Sequence, residues 1–315
     1  MGFGEKRSRR MTLSSNPTER LRLVETMRHF SSDTLLKTFL TTNDRISEQE
    51  FAQAWLKRLR ENELLFPEGW YQPPPSGVVV LFGQPPLFER LQFSSLRMQE
   101  YWPKNTHYLN DESLVYAYYS PVDRESGLIG DMAITLYRGS NSAVREHITA
   151  ALQITADVVE YAEIGMPLAS LYAYGTERIR KADLINRTVS ITDPHGIDIG
   201  HTIPWSYGTQ SEQEENVLKG SDRDKIWKMI SSKRRFLDST NDLIIAPNMA
   251  FTIEPKVASS SLPTVSFHII VVFLNGEKRV ISGYQSLFSH FGMINYLPKK
   301  ALNVLGCLPT ISEPS

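Results

Sequence analysis

Three polar residues interrupt stretches of sequence that are otherwise apolar: Asp131 in Ile-Gly-Asp-Met-Ala-Ile-Thr, His201 in Ile-Gly-His-Thr-Ile-Pro-Trp, and Glu254 in Met-Ala-Phe-Thr-Ile-Glu-Pro. A carboxylate set among Ile, Phe and Ala is costly to bury unless it is ion-paired, hydrogen-bonded or bound to a metal. Each residue alone has an ordinary structural role, a strand-end aspartate bonded to backbone or a histidine satisfied inside the core. All three segments nevertheless call for a partner.

The commoner catalytic signatures do not occur. The chain contains no G-x-S-x-G elbow, Walker loop, G-x-G-x-x-G turn, H-E-x-x-H helix or paired C-x-x-C, which takes most of the support from the serine-hydrolase, nucleotide and zinc-ribbon readings. Its 315 residues carry 34 Lys+Arg against 35 Asp+Glu and are 41% hydrophobic, enough for a large core and too balanced to attract nucleic acid or anionic lipid. Lys233-Arg234-Arg235 is too short a run to bind nucleic acid. The single Cys307 excludes an internal disulfide framework and fits a reducing compartment, so a cytoplasmic location is expected. The basic stretch Met1 to Arg10 lacks the apolar run of a secretory leader, and residues 1–17 are expected to form a frayed tail. The most apolar run, His268 to Leu274, is far too short to cross a bilayer and has the β-branched composition of a strand.

The elements that must position these residues follow from periodicity. Leu21, Val24, Met27, Leu35 and Phe39 predict a helix over 18–40, and Ser47 with Glu50 forms a capping-box pattern ahead of Phe51, Trp55 and Leu59. Strands are expected at 78–82, 114–119 and 131–137. A helix carries Val144, Ile148, Leu152 and Val159 toward a stop at Gly165, and a fourth follows over 168–181. Further strands are expected at 197–203, 249–254, 265–274 and 278–283, around a charged segment, 209–240, that reads as a solvated insertion with one short helix near Ile226, Trp227 and Ile230. Helices followed by strands, twice over, predict one α+β domain spanning 18–305, with similar halves at about 18–125 and 126–300 and a short tail at 306–315.

Gly130-Asp131-Met132, Ile199 to Pro204 and Asn248 to Pro255, in that order, resemble the M24 metallopeptidase family, which includes methionine aminopeptidase, prolidase and creatinase. The resemblance extends over roughly residues 18–300 and implies a pita-bread fold, helices packed on a mainly antiparallel curved sheet. It also implies a dinuclear metal site of two aspartates, one histidine and two glutamates. Asp131 falls on the second aspartate, His201 on the histidine and Glu254 on the first glutamate. The first aspartate has no counterpart near Tyr118, and Phe267 stands where the last glutamate is expected. The two remaining carboxylates balance one divalent ion, so the resemblance implies a mononuclear site for Fe, Mn, Co or Zn.

Tyr118, Trp205, Tyr207 and Phe267 are then expected to shape the substrate pocket, and His195 or His107 to add a ligand or a proton relay. If Phe267 faces the site, alternation turns His268 to the opposite face, as a structural residue. The implied function is a metal-dependent enzyme for a small amino-acid-like or short-peptide substrate, hydrolytic by family default, with ordinary aminopeptidase turnover disfavoured by the missing ligands. Single-metal Fe(II) oxidative or lyase chemistry is one alternative, and an inactive binding module of the same fold is the other. No nucleic-acid or membrane partner is expected, and a homodimer is compatible with the sequence.

Overall fold

The computed structural model describes residues 16–43, 45–66, 68–70, 76–187 and 197–308. Helix α1 (Pro17–Thr41) opens with Asn16 accepting from the Thr18 amide and proline in the first turn, and buries Leu21, Val24, Met27, Leu35 and Phe39. Helix α2 (Glu48–Leu59) starts on the expected capping box, in which the side chains of Ser47 and Glu50 each bond the other's backbone amide. Strands β1 (Val79–Gly83), β2 (Leu114–Tyr119) and β3 (Met132–Tyr137) form an antiparallel meander whose residues are all buried, because helices and loops cover both faces. Its register places Tyr118 opposite Ala133.

Helices α3 (Ser142–Tyr161) and α4 (Leu168–Lys181) pack on each other and lead to β4 (Ile185–Asn186). After α5 (Glu212–Gly220) and α6 (Arg223–Lys233) come β5 (Met249–Ile253), β6 (Lys256–Ala258), β7 (Val265–Ser266), β8 (Ile269–Leu274) and β9 (Glu277–Ile281), then α7 (Gln285–His290) and α8 (Lys299–Val304). These strands form two more antiparallel sheets, β4-β6-β7 and β5-β8-β9. The chain crosses from one sheet to the other at Glu254-Pro255 and again at Phe267-His268. At the second crossing it also touches the first sheet, through an Ile134–Phe267 bridge and a 2.9 Å bond from the His268 amide to the Ala133 carbonyl. Three sheets therefore converge on a few residues. No helix among the described residues is long and apolar enough to cross a membrane.

The expected helices over 18–40 and 168–181, and the capping box, are present. Three expectations fail. The run 265–274 is not one strand but β7 and β8, which lie in different sheets. Residues 197–203 form no continuous strand, because Gly200 takes a φ of +147°, which leaves only isolated bridges from His201 to Phe236 and from Thr202 to Phe251. The segment 209–240 is no solvated excursion with one helix. It holds two helices whose Leu218, Ile226 and Ile230 are buried in a cluster with Leu21, Val24 and Met27 of α1, so most of its charges stay on the outer face of a docked helical pair while Glu214, Arg234 and Asp238 are buried.

Buried chemistry away from the strand crossings gives a first testable outcome. His147 on α3 is 4% exposed, its Nε2 lies 2.9 Å from the Pro263 carbonyl, and burial pushes its pKa below the usual imidazole range. A histidine depressed in the folded state binds its proton first in the unfolded state, so its contribution to stability falls as pH drops below about 6.5. Urea unfolding of wild type and His147→Gln between about pH 7.5 and 5 is expected to diverge by at most about 1.4 kcal/mol per pH unit, with wild type losing more. Parallel curves would exclude this sign.

Candidate metal centre

Asp131 precedes β3, Glu254 follows β5, and His201 lies on the irregular segment pinned to β5 by bonds between its amide and the Thr252 Oγ1 (2.9 Å) and between the Thr252 amide and the His201 carbonyl (2.8 Å). Each of the three is buried and offers one ligand atom, and those atoms all lie within 4.8 Å of one another. His201 Nε2 is 3.1 Å from Asp131 Oδ2 and 3.9 Å from Glu254 Oε1. The imidazole is wedged edge-on between Trp70 and Phe236, with centroids at 6.5 and 6.3 Å. Its Nδ1–H donates to the Thr202 carbonyl at 3.0 Å, which turns the Nε2 lone pair toward the carboxylates. Lone pairs facing each other at that distance repel unless a proton or a metal cation lies between them.

His268 also belongs here. Its Nδ1 is 2.8 Å from Glu254 Oε2 and 3.6 Å from Asp131 Oδ2. Yet Asp131 Oδ1, Glu254 Oε2 and both His268 ring nitrogens make no aligned hydrogen bond among the described residues, although all are fully buried. Orphaned buried atoms of this kind carry a penalty that a bound cation would remove. The donor set of carboxylate oxygen and imidazole nitrogen suits Fe(II), Mn(II), Co(II) or Zn(II).

Electrostatics agree with a strongly ionised cluster. Burial by itself would raise the carboxyls of Asp131 and Glu254, but contact with the two histidines, and Lys256 beside Glu254, hold both well below the usual carboxylate range. Burial would depress His268, and the two carboxylates outweigh it and raise it. Lys256 Nζ is 3.7 Å from Glu254 Oε1. Buried Arg234 stacks on Trp70 and Phe236 at 4.0 and 4.9 Å from their centroids, within the field of Asp131 and Glu254. From behind, the fully buried Arg28 of α1 donates to the backbone carbonyls of Asp131, His268 and Ser282 and to the Tyr284 hydroxyl.

Of the proposed pocket residues, Tyr118 reaches the cluster, its ring edge-on to His268 at 5.8 Å. Phe267 does not: it is fully buried against Phe288 on the core side. The expectation for residues 267 and 268 is therefore reversed, since the bridge to Ile134 turns Phe267 inward and alternation then aims His268 at the carboxylates. Trp205 is buried over Leu218, with its Nε1 3.4 Å from Glu214, and Tyr207 is 37% exposed. His107 lies by the buried Glu48–Arg90 pair, where its carbonyl accepts from the Glu48 amide. His195 lies outside the described residues, as do residues 1–15 and 309–315 of the two expected tails. Sequence reasoning missed His268, Lys256, Arg234 and Arg28. A clue existed for Arg234, whose run of basic residues leads directly into the aromatic Phe236.

Comparison with known proteins follows the same line. The family profile described as Metallopeptidase family M24 matches residues 33–277. No curated protein sequence is similar enough to count as a relative. Among solved structures, X-Pro aminopeptidase from Thermotoga maritima MSB8 superposes with a TM-score of 0.58 at 12% identity, covering 84% of this chain and 61% of that one. Prolidase from Pyrococcus furiosus gives 0.57 at 14% identity, over 85% and 64%. Methionine aminopeptidase from Rickettsia prowazekii gives 0.56 at 9% identity, over 84% and 97%. The chain thus spans about three fifths of the length of the first two, and at these identities the likeness is one of fold.

Proposed function

This chain belongs to metallopeptidase family M24 and has its pita-bread fold, and from that footing we propose that it is an enzyme holding one divalent ion on Asp131, His201 and Glu254 and acting on a short-peptide or amino-acid-like substrate. The observation that carries the proposal is the convergence of three buried ligand atoms within 4.8 Å, supported by the unsatisfied carboxylate oxygens beside them. Two carboxylates balance one divalent ion, and the family-expected aspartate near Tyr118 is missing from the sequence.

When bound, the ion would polarise a carbonyl and acidify a water, which is hydrolytic chemistry. Thr202, through its carbonyl, fixes the tautomer that keeps His201 Nε2 available. Arg28 holds the backbone of Asp131 and His268 in place. Arg234 and Lys256 supply positive charge next to the ligands, which suits a substrate carrying a terminal carboxylate.

The same two cations favour a second reading. Together they neutralise Asp131 and Glu254 internally, and the protein would then be a metal-free binding module of this fold. Elemental analysis after dialysis against Fe(II), Mn(II), Co(II) or Zn(II) separates the two. About one equivalent of metal, absent from Glu254→Ala and His201→Ala, is expected; two equivalents refute the single-ion site, and a metal-free wild type leaves the binding module. With metal bound, release of amino acids from dipeptides marks hydrolysis, while substrate-dependent oxygen uptake with Fe(II) marks oxidative chemistry.

A further inference from the structure

We propose that His268 is a fourth protein ligand of the same ion, through Nδ1, giving a centre of two histidines and two carboxylates. The inference rests on the metal-binding reading above and adds a residue that lies outside the group of three.

The geometry points to it in three ways. First, two donors each about 2.1 Å from an ion in tetrahedral array stand about 3.4 Å apart. Four of the six donor pairs of such a site are separated by 2.8 Å (His268 Nδ1 to Glu254), 3.6 Å (His268 Nδ1 to Asp131), 3.1 Å (His201 to Asp131) and 3.9 Å (His201 to Glu254), which bracket that spacing. Second, His268 is 2% exposed and neither ring nitrogen has an aligned hydrogen bond among the described residues. A buried imidazole left so is rare in a relaxed interior. The Nδ1–Glu254 Oε2 pair sits at hydrogen-bond distance without hydrogen-bond alignment, as two atoms sharing a third centre would.

Third, the residue is held rigidly for the purpose. Its amide donates to the Ala133 carbonyl, its own carbonyl accepts from Arg28 and from the Tyr284 hydroxyl, and Tyr118 packs edge-on against its ring. Backbone anchored to two sheets and a helix leaves little freedom beyond the side-chain torsions, and rigid support is what a metal ligand needs. A proton shared between Glu254 and His268 is the competing account of the close pair.

Titration with Co(II) or Cu(II) alone tests this without any substrate. In wild type loaded with Cu(II), pulsed electron paramagnetic resonance is expected to detect two coordinated imidazoles, and His268→Ala to show one. Co(II) affinity is expected to fall at least about 100-fold in His268→Ala, with partial recovery in His268→Asp, and circular dichroism confirms that the variants fold. One imidazole in wild type, or unchanged Co(II) affinity in a folded His268→Ala, overturns the fourth ligand while leaving the three-residue site intact. A wild type that takes up neither ion overturns both readings and leaves the shared proton. The wild-type measurement decides even if both variants fail to fold.

Discussion

Gly200→Ala is expected to cost roughly 10–100-fold in metal affinity, although residue 200 donates no ligand. Gly200 has a φ of +147°, and a Cβ there would stand 2.0 Å from the Thr252 carbonyl oxygen and 2.8 Å from its carbon. Both atoms are backbone, so no side chain can swing aside. Relief requires the irregular segment to part from β5, and the bonds that would break are those that set the site: Thr252 to His201 at 2.8 Å and the Glu254 amide to the Ile199 carbonyl at 2.8 Å. Two ligands would move together. Losing the groups that orient metal ligands costs about 10–100-fold in metal affinity, and the strained backbone adds about 1–3 kcal/mol of instability. Isothermal titration with Co(II) checks the affinity, and urea unfolding checks the stability. Gly208→Ala, where an added Cβ meets nothing within 4 Å, is the matched control and is expected to behave as wild type. Equal affinities for the two variants would refute the positioning role of this glycine.

The second large effect is on stability. Arg28→Met is expected to destabilise the fold by roughly 3–5 kcal/mol, because it removes one group that satisfies four buried acceptors at once. Those acceptors are the carbonyls of Asp131, His268 and Ser282 and the Tyr284 oxygen, and the guanidinium also lies over the Tyr284 ring at 4.6 Å. Methionine fills much of the volume, so the loss measures hydrogen bonding more than packing. Arg28→Lys keeps the charge without the planar fork and is expected to fall between. Denaturant midpoints report all three, and exposed Arg22→Met should stay within about 0.5 kcal/mol of wild type. A similarly small change for Arg28→Met would show that water can replace the clamp. Since Arg28 binds the backbone of two cluster residues, the metal affinity of any folded Arg28 variant should drop as well.

Much of this molecule was legible before its coordinates. Local rules located α1 to α4, because caps and a 3.6-residue period act within a few turns. Asp131, His201 and Glu254 stood out because a polar group in an apolar strand needs a partner wherever the fold takes it. The order of their segments was enough to suggest the family.

Tertiary structure alone decided the rest, and the reason is range. Alternation requires Phe267 and His268 to face opposite sides, but it does not say which side holds the site; pairing with Ala133 and Ile134, more than 130 residues earlier in the chain, makes that choice. Arg28 lies 103 residues from Asp131 and 240 from His268, so no periodicity links them. The charged segment 209–240 likewise looked solvated until its few apolar residues met the face of α1. A sequence fixes which groups must find partners, because burial energy is a property of each side chain; which partners they find is set by how three sheets and a helix meet.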